Sequence, residues 1–185
     1  MGTRATYNLS AGRYNHQQIC FYIHWDGYPS GAASYFWNMY QIKNERGSYA
    51  GRFIRGNELA EFTLDHNEHG DTEYCYDLDE AGSLTASEWQ FDEKQWKIIY
   101  NGFWYDFINE FINDPSKEKL YFFKSTPGEN YGSVMTLREA TLALNNQRTH
   151  IAQLRQKGLL GNAAYAETEA NYLEEQIALL PTDLP

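Results

Sequence analysis

Residues 18–42, QICFYIHWDGYPSGAASYFWNMYQI, restrict the fold of this chain more than any other stretch. Ile19, Phe21, Ile23 and Trp25 alternate with Cys20, Tyr22 and His24. An extended strand therefore carries apolar or aromatic side chains on both faces. Such a strand belongs inside a sheet rather than at its rim. Asp26-Gly27 breaks it. Tyr28 is held extended because it precedes Pro29, and Ser30 stands where a side-chain oxygen can cap a new helix. Ala33, Phe36, Trp37 and Tyr40 then recur three or four apart, the period of a helix that buries one face. The expectation is a strand–turn–helix corner at the core, with the helix running from Ser30 to near Gly47.

Around this corner the pattern predicts the remaining elements. Residues 3–9 pair antiparallel with 18–25 across a turn that Gly12 permits. Residues 49–64 read as one broken helix or two short ones, interrupted at Gly56-Asn57, with Asn57 placed to cap 58–64. Residues 65–72, DHNEHGDT, form a polar loop. Three alternating runs, 73–79, 83–91 and 95–101, suggest a meander. Phe103, Phe107, Ile108 and Phe111 have helical spacing, and Asp114-Pro115 ends that helix. A short strand follows at 120–124, then a loop at 125–133. Thr136 and Glu139 make a capping box. It opens a helix with Leu137, Ala140, Leu144, Ile151 and Leu154 on one face. After a turn at 158–161, Ala163, Ala166, Ala170, Leu173, Ile177 and Leu180 repeat three and four apart. The predicted fold is α+β. An antiparallel sheet, made of the N-terminal hairpin and the central meander, carries flanking helices and a C-terminal helical hairpin. The expected domains are 1–132 and 133–185. Leu144, Ile151, Leu154, Leu173 and Ile177 would also serve a homodimer through residues 136–180.

A chain of 185 residues with 42% hydrophobic content supports one ordinary core and a small appendage. No apolar run approaches the roughly 18–20 residues that span a membrane, and no basic, apolar leader opens the chain. A cytoplasmic protein is expected. Met1-Gly2-Thr3-Arg4-Ala5-Thr6 fits the loose myristoylation pattern, but the alternation there reads better as the first strand. Cys20 and Cys75 stand far apart without a CxxC pair, as buried thiols of a reducing compartment do. Spacing alone leaves a bridge between them open.

The net charge of −10 is concentrated in the middle of the chain. Residues 1–60 hold six basic and three acidic side chains, residues 61–118 three basic and fifteen acidic, and residues 119–185 six and seven. Residues 61–93 hold eleven carboxylates and no Lys or Arg. A field of this sign repels nucleic acid and attracts basic surfaces. Asp65, Glu68, Asp71, Glu73, Asp77, Asp79, Glu80, Glu88, Asp92 and Glu93 are the expected partner-binding residues. Glu73, Asp77 and Asp79 would form a row along one strand, about 6.8 Å per pair of residues, a spacing close to that of backbone phosphates.

Other chemistry is thinly represented. The 65–71 loop begins like a calcium loop, with Asp65, Asn67 and Gly70 in register. It then fails, having His69 at the fifth position and Tyr76 where a bidentate Glu belongs. His66 and His69 are the alternative metal ligands, without an open-site pattern. His24 and Asp26 are the alternative acid–base pair, provided the turn folds them together. They would serve a small hydrolase or nucleotide-acting enzyme. There is no nucleophile elbow, P-loop or dinucleotide fingerprint, and no cofactor is expected.

The opening corner resembles a group of uncharacterised small phage and bacterial proteins. The shared elements are Thr3-Arg4-Ala5 and His24-Trp25-Asp26-Gly27-Tyr28-Pro29-Ser30-Gly31, within the first 45 or so residues. The resemblance implies a phage or mobile-element setting and carries no activity of its own. In that setting the acidic middle predicts a non-enzymatic inhibitor. Its nucleic-acid-like face would block a basic, nucleic-acid-binding host defence protein, in the manner of an anti-CRISPR. Direct nucleic-acid or membrane binding is not expected.

Overall fold

The computed structural model describes residues 2–12, 17–42, 48–129 and 131–181. Two compact units divide between Pro115 and Ser116, earlier than the expected 132/133. The reason is a strand that sequence patterning misses. Strand β7 (Leu120–Lys124) pairs antiparallel with β8 (Gly132–Thr136), and that ladder packs with the helices that follow it.

The first unit contains β1 (Ala5–Ser10), β2 (Gln18–Ile23), α1 (Pro29–Gln41), α2 (Tyr49–Gly56), β3 (Glu61–Thr63), β4 (Tyr74–Leu78), β5 (Ser83–Gln90), β6 (Gln95–Phe103) and α3 (Trp104–Phe111). Its sheet has the order β3-β2-β1-β4-β5-β6. The β1–β2 hairpin and the β4–β5–β6 meander are antiparallel, as expected. They meet through a parallel pairing of β1 with β4, so the sheet is mixed. One transverse row crosses all six strands: Phe62, Phe21, Tyr7, Tyr76, Ala86 and Tyr100. The helices cover this face. Phe36 of α1 lies against Tyr7 and Tyr76, Phe53 of α2 against Tyr7 and Phe21, and Phe107 of α3 against Tyr76 and Tyr100. Tyr7 and Tyr76 stack at 5.0 Å.

Local details correct three expectations. Pro29 occupies the first turn of α1 and Tyr28 is its N-cap, so Ser30 lies inside the helix. Proline fits there because its missing N–H has no intrahelical partner to lose. The helix ends at Gln41, and the expected stop at Gly47 lies outside the described residues. The 49–64 stretch is one helix followed by an edge strand. Ser48 caps α2 at its start, while buried Asn57 sits at its end and donates to the carbonyls of Phe53 and Tyr35. β3 then pairs with β2.

The corner itself is shaped by close backbone approach. The Gly27 N–H donates to the Thr3 carbonyl at 2.9 Å, and a Cβ on Gly27 would lie 2.7 Å from the Arg4 backbone. A Cβ on Gly31 would lie 1.9 Å from the Asp26 carbonyl oxygen. Asp26 is left-handed, with φ of 54°, a conformation that Asp tolerates better than most residues.

The second unit joins the β7–β8 ladder to α4 (Leu137–Gln156) and α5 (Leu160–Ala178). The Thr136–Glu139 capping box is formed in full. Leu144, Ile151 and Leu173 are buried in this unit's own core, with Leu154 and Ile177 packed against it. The seam that would have joined two copies is thus occupied by the α4–α5 pairing within one chain.

Two predictions follow from burial. The Tyr7 hydroxyl is buried without a partner among the described residues, whereas the Tyr76 hydroxyl donates to the buried Gly27 carbonyl at 2.8 Å. Tyr7→Phe is therefore expected to raise unfolding stability by up to about 1 kcal/mol, and Tyr76→Phe to lower it by about 1–2 kcal/mol, in urea titrations. Leu144→Asp or Leu173→Asp is expected to cost about 3 kcal/mol or more by burying an unpaired charge. Circular dichroism should show helix loss rather than a change in oligomeric state.

Candidate functional site

The face of the sheet opposite the helices carries the chemistry. Alternation along the strands gives it two further rows. One runs Glu61, Tyr22, Thr6, Cys75, Ser87, Ile98, and the other Thr63, Cys20, Asn8, Asp77, Thr85, Asn101. Both are polar where the helix-covered row is aromatic. The β3–β4 loop folds back over their first half. It is pinned there by three side chains.

His66 is the first pin. Its Nε2 lies 3.0 Å from Asp77 Oδ1, and its Nδ1 makes a short hydrogen bond with Thr6 Oγ1. In the neutral ring one nitrogen donates and the other accepts. With Nε2–H on the carboxylate, Nδ1 accepts from the Thr6 hydroxyl. Thr6 is fully buried and also lies 3.4 Å from the Cys75 sulfur. Asn8 donates to Asp77 at 2.9 Å. His69 is the second pin, its ring stacked on Tyr22 at 3.8 Å. Asp71 is the third. It accepts from the Tyr22 hydroxyl at 2.9 Å and pairs with Arg4 at 2.8 Å. Both histidines of the alternative metal reading, His66 and His69, thus make contacts within the fold. Among the described residues no group of three or more His, Cys, Asp or Glu side chains is arranged to hold a metal ion.

Neither thiol is poised as a nucleophile. Burial, reinforced by Asp77, pushes Cys20 up to about 12. Burial likewise pushes Cys75 up to about 12, far from the thiolate form at neutral pH. Both are free. Cys20 sits opposite Asn8 and Cys75 opposite Thr6, on the two sides of β1. Two strand spacings, roughly 9.5 Å, exceed the reach of a disulfide.

The alternative acid–base pair, His24 and Asp26, is directed at other partners. His24 Nε2 lies 3.3 Å from Glu61 Oε1, and its ring meets Tyr22 edge-on. Asp26 accepts from the Tyr28 hydroxyl at 3.3 Å.

The acidic residues are arranged differently from a simple row. Asp77 lies on β4, partly covered by His66. Glu73 precedes the strand, with its carbonyl bonded to the Trp89 N–H. Asp79 follows the strand and accepts from the Ser83 N–H at 2.8 Å. Most of the others are held by neutral donors. Asp65 accepts from the Asn67 N–H at 2.6 Å, and Glu68 from the Leu64 N–H and the Thr63 hydroxyl, both at 2.7 Å. Glu88 accepts from Tyr74 and Gln90, and Glu93 from Gln95. Asp92 is exposed at the β5–β6 turn. Glu80 borders, with Ser10, Gln18, Asp79 and Ala81, a shallow depression at the far end of β1. The Leu64 N–H and the Thr63 hydroxyl hold Glu68 below its ordinary value. Such bonds orient a carboxylate without cancelling its charge. Sequence spacing located these residues, but not the β3–β4 loop's attachment to Thr6, Tyr22 and Arg4.

Compared with protein-family models, curated proteins and solved structures, the chain matches none. Among the described residues no helix is long and apolar enough to cross a membrane.

The Asp77 interaction has a pH signature. Burial works to raise its pKa, but the hydrogen bonds from His66 and Asn8 outweigh burial and leave it lowered. A carboxyl whose folded value lies below its unfolded one contributes stability above the unfolded value, and that stability is lost as pH falls through the folded value. Urea midpoints should therefore drop below about pH 4. Asp77→Asn should have a lower midpoint at neutral pH and a shallower acid slope.

Proposed function

We propose that this chain is a non-enzymatic binding protein whose acidic surface docks on a basic, nucleic-acid-binding surface of another protein and blocks it. In the phage setting that the N-terminal resemblance implies, the target is a host defence protein and the chain an anti-CRISPR-like inhibitor. The observation that carries this reading is the way the central carboxylates are held. Asp65, Glu68, Asp79, Glu88 and Glu93 are fixed by N–H, hydroxyl or amide donors. Their charge is retained while their rotamer freedom is reduced. A preorganised anionic array loses less entropy on docking than a set of free side chains. Its field also steers a basic partner to the encounter. Arg4 is directed at one acid, Asp71, and residues 61–93 hold no Lys or Arg of their own.

The test is affinity capture on the immobilised chain from a bacterial lysate, with elution by duplex DNA. Basic nucleic-acid-binding proteins should be retained at low salt, released at high salt and displaced by DNA. Replacing Glu73, Asp77 and Asp79 together by Lys should weaken retention at least about tenfold, or by roughly 1.4 kcal/mol. The milder Glu73→Gln and Asp92→Asn pair, which spares the bonded carboxylates, should weaken it less. Retained proteins that DNA does not displace would sink the mimicry.

A further inference from the structure

Strand β3 carries a surface of its own. Leu59, Phe62 and Leu64 are 67%, 71% and 86% exposed, the most exposed large apolar side chains of the first unit among the described residues. They are interleaved in sequence with Glu58, Glu61, Asp65 and Glu68, without a Lys or Arg between. β3 is also the end of the sheet, paired only with β2. The register places Phe62 beside Phe21, rings 5.2 Å apart, so it carries the aromatic row onto the last strand. Glu61 and Thr63 fall on the opposite, acidic face.

We propose that the β3 edge is a strand-addition site for an extended basic segment of a partner protein. The reading rests on the acidic-docking function and names where the partner's backbone pairs. An incoming strand would lay an apolar side chain beside Phe62 and set Lys or Arg on the other face, beside Glu61. Main-chain bonds supply adhesion and the alternating side chains supply selectivity. Three residues of pairing are too few to hold a strand alone, so the apolar flanks and the charges are needed to complete the site.

Charge identifies the occupant. A second copy would bring its own Glu58, Glu61, Asp65 and Glu68 against the same residues, on a chain of net charge −10. Like charges so placed disfavour self-pairing. The other sheet edge is guarded differently. β6 carries Lys97 and an irregularity opposite Ala86 and Ser87, both common ways of blunting an edge. The described β3 edge has neither lysine, proline nor bulge.

The probe is a short, end-blocked peptide alternating Lys and Val, titrated into the full isotope-labelled chain and followed by amide resonances. Shifts should concentrate on Glu61–Thr63 and their β2 neighbours. Affinity should fall at least about tenfold in Phe62→Ser, Leu64→Ser and Glu61→Lys. It should also be lost for a peptide N-methylated along one edge, which keeps the charge but cannot pair. Leu64→Ser is included because Phe62→Ser also removes the contact with Phe21. Shifts scattered over residues 65–93, indifferent to these variants and to methylation, would overturn the β3 site. In that outcome DNA-displaceable capture by the same chain would leave the wider acidic-docking reading standing. Peptide pairing at β3 without any such capture would do the reverse.

Discussion

The parallel pairing of β1 with β4 is the contact on which the first unit depends. It joins residues such as Thr6 and Cys75 that are far apart in sequence. Without it the N-terminal hairpin and the meander are two small sheets, each too narrow to bury an aromatic face. With it, Tyr7 stacks on Tyr76 and the aromatic residues of the hairpin and the meander share one face under three helices. A parallel pair needs a long crossover, and here α1, α2 and β3 supply it. The corner at Asp26–Gly31 aims that crossover. Gly27 bonds back to Thr3 just ahead of β1, while the Arg4 carbonyl accepts the N–H groups of Glu73 and Tyr74 where β4 begins. The entropic cost of closing so long a loop is offset by the burial of Tyr7, Phe36, Phe53 and Tyr76, all fully inaccessible.

The same pairing builds the opposite face. It sets Thr6 beside Cys75 and Asn8 beside Asp77, and so creates the socket that His66 enters. The two faces divide the labour. The helix-covered face supplies apolar burial. The polar face spends its hydrogen bonds on fixing a charged loop that has no core of its own. A loop with this many carboxylates repels itself, and the anchors at His66, His69 and Asp71 are what keep it on the sheet. The acidity of the surface and the attachment of the loop are therefore one arrangement, in which Asp65, Glu68, Asp71 and Asp77 each also accept a hydrogen bond.

Local pattern was enough for the elements whose side chains obey a single period. The alternation of 18–25, the meander runs and the three-and-four spacing of 137–180 all reappear as strands and helices close to the expected bounds. What failed was decided by tertiary contact. Glu61, Phe62 and Thr63 have no strand signal beyond three residues, and they become a strand because β2 offers a free edge. The Gly132–Thr136 run is a strand because β7 lies alongside it. Parallel against antiparallel pairing at β1 and β4 is invisible to periodicity, because both have a period of two. At the site, the carboxylates were legible as charge. Their engagement was not, since Thr6, Tyr22 and Arg4 lie about fifty or more residues from the loop they hold.

Charge also explains how an open edge is compatible with a stable sheet. An exposed strand carrying Phe62 between Leu59 and Leu64 is an aggregation hazard on a neutral protein. Here the four carboxylates that interleave with those side chains repel every other copy of the chain, since each copy carries the same sign at the same edge. The protection is selective by construction. It falls away only before a partner of opposite charge, for which the same carboxylates turn from barrier into attraction and the apolar side chains become contact area. A lysine guard of the kind found on β6 would not have this property, because it would also turn away the basic partner.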